Sequence, residues 1–191
     1  MTETPKYSVL KKQKNIELRL YTDYIQAEVI IVERDYKSAI EKGFNVLAGY
    51  IFGNNITRQK IEMTAPLQVS QSQKIAMTTP VTVTGDKKYT VAFIMPAKYT
   101  LDTLPIPKDD DIHFTLIPAH QMAAIRFSGF FQQKNINKNK ELLRQWLEKN
   151  GLETQGDFIV AGYNPPWVPG FLARNEVLIK INTTNGKLLN I

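Results

Sequence analysis

Cysteine is absent from the 191 residues. That excludes disulfides, thiolate nucleophiles, iron–sulfur clusters and the common zinc sites. Histidine is scarce: only His113 and His120 occur, with no partner at helical ligand spacing, so an all-protein metal site is not expected. No run of about 18 apolar residues is present, so no membrane span is expected. The amino-terminal stretch MTETPKYSVLKKQKN lacks an apolar segment of signal-peptide length, and a cytoplasmic location is the expectation. Nothing resembles a nucleophile elbow, a phosphate-binding loop or a metal-hydrolase motif, so catalysis is not expected.

What is present is a chain with 43% hydrophobic residues, enough to bury the core of a single domain spanning 1–191. The net charge of +6 favours an anionic partner. The lysines in KKQK and KNINKNK are scattered rather than interleaved with aromatics. The candidates are nucleic acid, a membrane surface or a small molecule bearing carboxylates or phosphates, unless the lysines simply keep the surface soluble, and the scatter argues against nucleic acid.

Period-two alternation marks the first elements. In NIELRLY, Ile16, Leu18 and Leu20 point one way and Glu17, Arg19 and Tyr21 the other; YIQAEVIIVE places Ile25, Ala27, Val29 and Ile31 on one face. The intervening YTD reads as a turn, predicting a hairpin. The period then lengthens: Tyr36, Ile40, Phe44, Leu47, Ala48 and Ile51 form one stripe of a helix over about 35–52. Asp35 is its expected cap and GNN at 53–55 its stop.

YTVAFIMP reads as a strand ended by Pro96, and PAKYTLDTLPIPKDDD as an extended linker at about 97–110. The order then repeats. DIHFTLIPAHQMAAIRFSGFF gives two strands, NKNKELLRQWLEKNG a helix with Leu142, Leu143, Trp146 and Leu147 inward, and DFIVAGYNPPW and ARNEVLIKI two more strands. Each half, about 7–96 and 111–182, reads strand–strand–helix–strand–strand. Two β–α–β modules of this kind predict an α+β fold: one curved antiparallel sheet with both helices on one side and a free concave face.

Two stretches could carry chemistry. KIEMTAP at 60–66 recurs as KIAMTTP at 74–80, placing Met63 and Met77 at equivalent positions before a proline. The LQVSQSQ between them is polar and turn-prone, which predicts a hairpin that brings the methionines together. With Ile61 and Ile75 they make a soft apolar wall suited to a flat ligand, or ordinary core filling. In YNPPWVPGFLARNEV, Tyr163, Trp167 and Phe171 offer a stacking surface and Arg174 a carboxylate partner; alternatively Trp167 plugs one end of the sheet.

KIEMTAP, KIAMTTPV, GFNVLAGYIFGNN and YNPPWVPGFLARNEVLIKI together resemble the signature stretches of the SOUL/heme-binding protein family, in matching order from about Tyr7 to Ile181. The resemblance implies a distorted antiparallel β-barrel of about eight strands with two helices and a pseudo-two-fold repeat, similar to the gyrase-inhibitor-like small-molecule-binding domains. It also implies heme or another tetrapyrrole as ligand, held by a carrier, buffer or sensor. The family's apolar cleft beside the first helix corresponds here to Ile40, Phe44 and Leu47, with Arg58, Lys60, Ile61 and Met63 after them; Met77 and Arg174 complete the candidate set. Some members are thought to use a histidine near the start of that helix as axial ligand. RDYKSAIEKGF contains none, so heme without strong axial histidine ligation is the expectation.

Two other readings compete. A binder of apolar cations would use a buried carboxylate in the concave cavity, with Glu176 as candidate and its pKa raised when empty; the plainer account pairs Glu176 with Arg174, two residues before it on the same face. A hydrolase would use Glu176 or Glu62 as general base and Tyr163 as proton donor.

Overall fold

The alternating segments form the strands of one antiparallel sheet, and the two stretches of longer period form its helices. The computed structural model describes residues 4–56, 61, 67–71, 87–129, 132–163, 169, 171 and 173–182. In chain order the elements are β1 (Tyr7–Gln13), β2 (Ile16–Tyr21), β3 (Tyr24–Glu33), α1 (Tyr36–Ile51), β4 (Leu67–Gln71), β5 (Lys87–Ile94), β6 (His113–Ile117), β7 (His120–Ser128), α2 (Gln133–Lys149), β8 (Thr154–Gly162) and β9 (Arg174–Ile181). The nine described strands are ordered β1-β2-β7-β9-β8-β4-β5-β3-β6.

Without β1, that order is unchanged when each strand of the first half is exchanged for its counterpart in the second. β2, β3, β4 and β5 correspond to β6, β7, β8 and β9, and the pseudo-two-fold axis passes between β4 and β8. The duplication expected from the element order is present, with β1 added at one edge. Val69 of β4 is in register with both Val91 and Val160. Val91 belongs to the core beneath α1 and Val160 to the core beneath α2. Residues in register share a face, so both helices cover the same side.

β2 and β3 do not form the expected hairpin. β2 pairs with β1 and β7, and β3 with β5 and β6, so they lie towards opposite ends of the sheet. Yet only Thr22 and Asp23 join them, a span of at most about 11 Å. The equally short link between β6 and β7 runs beside it. The sheet must therefore curl until its two ends meet at this corner. There the Tyr21 and Tyr24 rings both pack on His120, at centroid distances of 5.6 and 5.9 Å. No pairing among the described residues closes the sheet into a barrel; β1 and β6 are its edges.

Three other expectations change. Leu67–Gln71, read from its polar residues as a turn, is β4, paired with both β5 and β8. The supposed linker packs back on the end of α1: Tyr50 Oη donates to the Pro105 carbonyl at 2.8 Å, and Leu104 and Ile112 are buried beside it. α2 starts at Gln133, earlier than its Asn- and Lys-rich beginning indicated, and Ile136 anchors its first turn. Leu143, Trp146 and Leu147 face inward as expected, whereas Leu142 is exposed.

α1 is capped as expected, the Asp35 carboxylate accepting from the Ser38 amide at 2.8 Å. Its buried line is Ala39, Gly43, Leu47 and Tyr50 with Ala48 and Ile51, while Tyr36, Ile40 and Phe44 sit half-buried along its flank. Gly43 sets how closely the helix approaches: a Cβ there would lie 2.5 Å from Val91 Cγ2 on β5. Alanine at an ordinary helical site is worth about 1 kcal/mol over glycine, but overpacking a core costs about 1–3 kcal/mol. Gly43→Ala is expected to lower the urea midpoint, where an unobstructed helical glycine would raise it.

Candidate functional site

Two groups of side chains stand out, one on each side of the sheet. On the helix side, Ile40 and Phe44 form the half-exposed flank of α1, and the Phe44 ring meets Phe93 of β5 edge-on at 5.5 Å. Leu47, one turn on, is fully buried in the same core as Ile61. The Ile61 amide donates to the Ile51 carbonyl at 2.8 Å, which ties the chain after α1 to the helix end. Phe44, Leu47 and Ile61 thus share the core beneath α1, with Ile40 one turn before Phe44 on the helix flank. Arg58, Lys60, Met63 and Met77 lie outside the described residues, as do the expected methionine hairpin, Glu62 and Trp167.

Arg174 is not part of that group. It begins β9 and shares with Glu176 the sheet face opposite the helices. There the alternation of β2 places Glu17, Arg19 and Tyr21, and that of β8 places Ile159, Ala161 and Tyr163. Glu176 is fully buried and Arg19 is 2% exposed. Arg19 binds the carboxylate in bidentate fashion: Nη1 donates to Oε2 at 2.7 Å and Nη2 to Oε1 at 2.9 Å. Tyr163 Oη donates to Oε2 at 2.7 Å and Arg174 Nη2 to Oε1 at 2.8 Å. The pairing of Arg174 with Glu176 is the one expected; the Arg19 contact, across 157 positions of sequence, is not.

The pair crosses β7 on the diagonal. Arg19 is in register with Met122, and Glu176 with Arg126. Ala124 lies between those two positions on the same face, and its methyl group leaves room for the guanidinium to pass. Arg19 also donates through Nε to Glu17 at 2.9 Å, and Glu17 in turn pairs with Lys12 at 3.0 Å. Aromatic rings line the cluster. Tyr7 lies under the Arg19 guanidinium at 4.4 Å, Tyr163 under that of Arg174 at 4.1 Å, and Tyr7 packs on Tyr21 at 5.0 Å.

These contacts reverse the expected ionisation of Glu176. Burial alone would raise its pKa, but the Arg19 guanidinium, Tyr163 hydroxyl and Arg174 guanidinium outweigh burial and hold it below the ordinary 4.5. The same burial, with the neighbouring Glu176 charge, pushes the Tyr163 hydroxyl well above its usual range. Such a carboxylate is a poor proton acceptor, so a general-base role for Glu176 finds no support. His120 is buried, with Nδ1 2.7 Å from the Pro118 carbonyl; burial, with Lys180 nearby, lowers its pKa despite that carbonyl. His113 is exposed.

The model of the SOUL heme-binding protein family matches residues 2–180. The chain belongs to that family. Among SOUL relatives, Heme-binding protein 2 of Mus musculus is 28% identical over 153 residues, covering 79% of this chain and 71% of that protein. Among solved structures, the EcmrR C-terminal domain matches with a TM-score of 0.66 at 13% identity, over 93% of this chain and 98% of that one. A hydrolase from Listeria innocua matches with a TM-score of 0.60 at 10% identity, over 89% and 93%. At such identities the two structures share the fold alone with this SOUL protein. Arg19 was missed because its partner is remote in sequence. The available signal was opposite charges, Arg19 and Glu176, each flanked by apolar residues within the strands IELRLY and NEVLIKI.

Removing one partner of a buried ion pair leaves the other uncompensated, at a cost of about 3–5 kcal/mol. Glu176→Gln is expected to lose that much in urea unfolding, and the double replacement Arg19→Met with Glu176→Leu to lose less. Because the folded-state pKa of Glu176 is depressed, its stabilisation is fully present above about pH 4.5 and is lost as pH falls through the lower folded value. The acid-induced fall in melting temperature should therefore be shallower in Glu176→Gln than in the wild type.

Proposed function

We propose that this SOUL protein binds a tetrapyrrole along the flank of α1, as a carrier or buffer without catalysis of its own. The observation that carries this reading is the half-exposed apolar flank of α1 formed by Ile40 and Phe44, with Phe44 packed against the core that holds Leu47 and Ile61. A flat macrocycle draws most of its affinity from such contact. The chain continues from this edge into Arg58, Lys60 and Met63. In this reading the two cations receive the propionates and Met63 extends the apolar wall. Membership of a heme-binding family supports the same ligand class. Heme, when bound, would supply its iron chemistry; the protein's share is to hold the ring, shield one face from water and neutralise its acids.

A hemin titration followed at the Soret band tests this reading. Saturable one-to-one binding is expected. A buried phenylalanine side chain is worth about 1.5–3 kcal/mol, so Phe44→Ala should weaken hemin by about ten- to a hundredfold. Arg58→Ala should weaken it less, with the loss diminishing in high salt. Binding that neither saturates nor responds to Phe44→Ala would overturn the proposal.

A further inference from the structure

The pseudo-two-fold axis leaves one strand without a counterpart. β1 lies on the outer edge of β2, whereas the outer edge of β6, the twin of β2, carries no strand among the described residues. An open edge presents a row of N–H and C=O groups to any extended chain. The registers with β7 and β3 align the twins residue by residue. Arg19 corresponds to Ile117, so Leu18 corresponds to Leu116 and Glu17 to Thr115.

On the helix side the two leucines differ. Leu18 is 0% exposed and Leu116 52%. Leu18 sits in the core beneath α2, against which Leu10 of β1 also packs. On the opposite side, Lys12 of β1 is in register with Glu17 and pairs with it at 3.0 Å. At β6 the equivalent place is taken by Thr115, whose hydroxyl donates to Glu28 Oε1 at 3.0 Å, while Gln26 Nε2 donates to Oε2 at 2.6 Å. Glu28 is half-buried, stands in register with the exposed His113, and pairs with no cation among the described residues. β6 thus offers an open backbone edge, a bare leucine on one side and a carboxylate on the other. On β2, β1 answers the same three features.

We propose that the outer edge of β6 docks an extended basic segment of a partner protein, added antiparallel as β1 is added to β2. Main-chain hydrogen bonds hold the segment to the edge. One of its apolar side chains covers Leu116, and one of its lysines or arginines reaches Glu28. This inference does not depend on a tetrapyrrole binding at α1.

The test titrates the full chain into a fluorescent peptide KYSVLKKQKN, residues 6–15, which contain β1, and follows its anisotropy. Saturable one-to-one binding is expected. Leu116→Lys should weaken it about tenfold or more, and Leu116→Ile should leave it unchanged. Glu28→Gln should weaken it about threefold, a loss that shrinks in high salt. The proposal is overturned if binding does not saturate, or if Leu116→Lys keeps wild-type affinity, as it would were the peptide merely displacing β1 from β2. Should Leu116→Lys unfold, the peptide carrying Leu10→Asp must lose its affinity for the wild-type chain, and retained affinity sinks the idea. Sedimentation of the chain alone gives the remaining outcome. Self-association abolished by Leu116→Lys would assign the edge to a second copy and overturn the partner proposed.

Discussion

The bidentate contact between Arg19 and Glu176 is the constraint around which one half of the sheet is arranged. It joins β2 to β9 across β7, and in a dry environment neither charge is tolerable without the other. Once it forms, several sequence choices become necessary. Ala124 must be small, Tyr163 must bring its hydroxyl, and Arg174 must point to the same face. The pair also explains how a face opposite both helices is buried without being purely apolar. Met122, Ala124, Ala161 and Leu178 surround it as a third core cluster.

Curvature is the second constraint, and it comes from connectivity rather than from any single contact. Two links of two residues each, Thr22–Asp23 and Pro118–Ala119, join strands that pair in different parts of the sheet. Only a curled sheet satisfies both. The curl gathers Tyr21, Tyr24 and His120 at one corner and gives the face opposite the helices its concavity. Gly43 works on the other side, where the absence of a side chain lets α1 settle onto Val91. The candidate tetrapyrrole edge then lies on the flank of a helix held close to its sheet.

Much of this was legible from periodicity. The 3.6-residue spacing located α1 and its cap, and alternation assigned opposite faces of β2 correctly. The doubled order of elements gave the two-module fold with both helices on one side. What failed were features set by partners remote in sequence. A two-residue turn between alternating strands resembles a hairpin until the pairing with β7 and β5 is known. LQVSQ resembles a turn because its polar residues say nothing about the strands on either side. Of the candidate residues, Phe44, Leu47 and Ile61 share one core, because helix spacing and chain continuity are local properties. Arg174 falls elsewhere, because which face of a sheet a strand residue takes is decided by neighbours that periodicity does not identify.

The pseudo-two-fold axis between β4 and β8 relates positions as well as strands. Following the registers, Glu176 on β9 corresponds to Ala92 on β5, and Arg19 on β2 to Ile117 on β6. The backbone is duplicated, but the charge is not. One half of the concave face carries an ion pair where its twin carries an alanine and an isoleucine. The two ends of a symmetric cradle thereby differ in kind, an arginine–glutamate pair at one and the Glu28 carboxylate, held by Gln26 and Thr115, at the other, so any elongated molecule lying across it would meet a built-in compass.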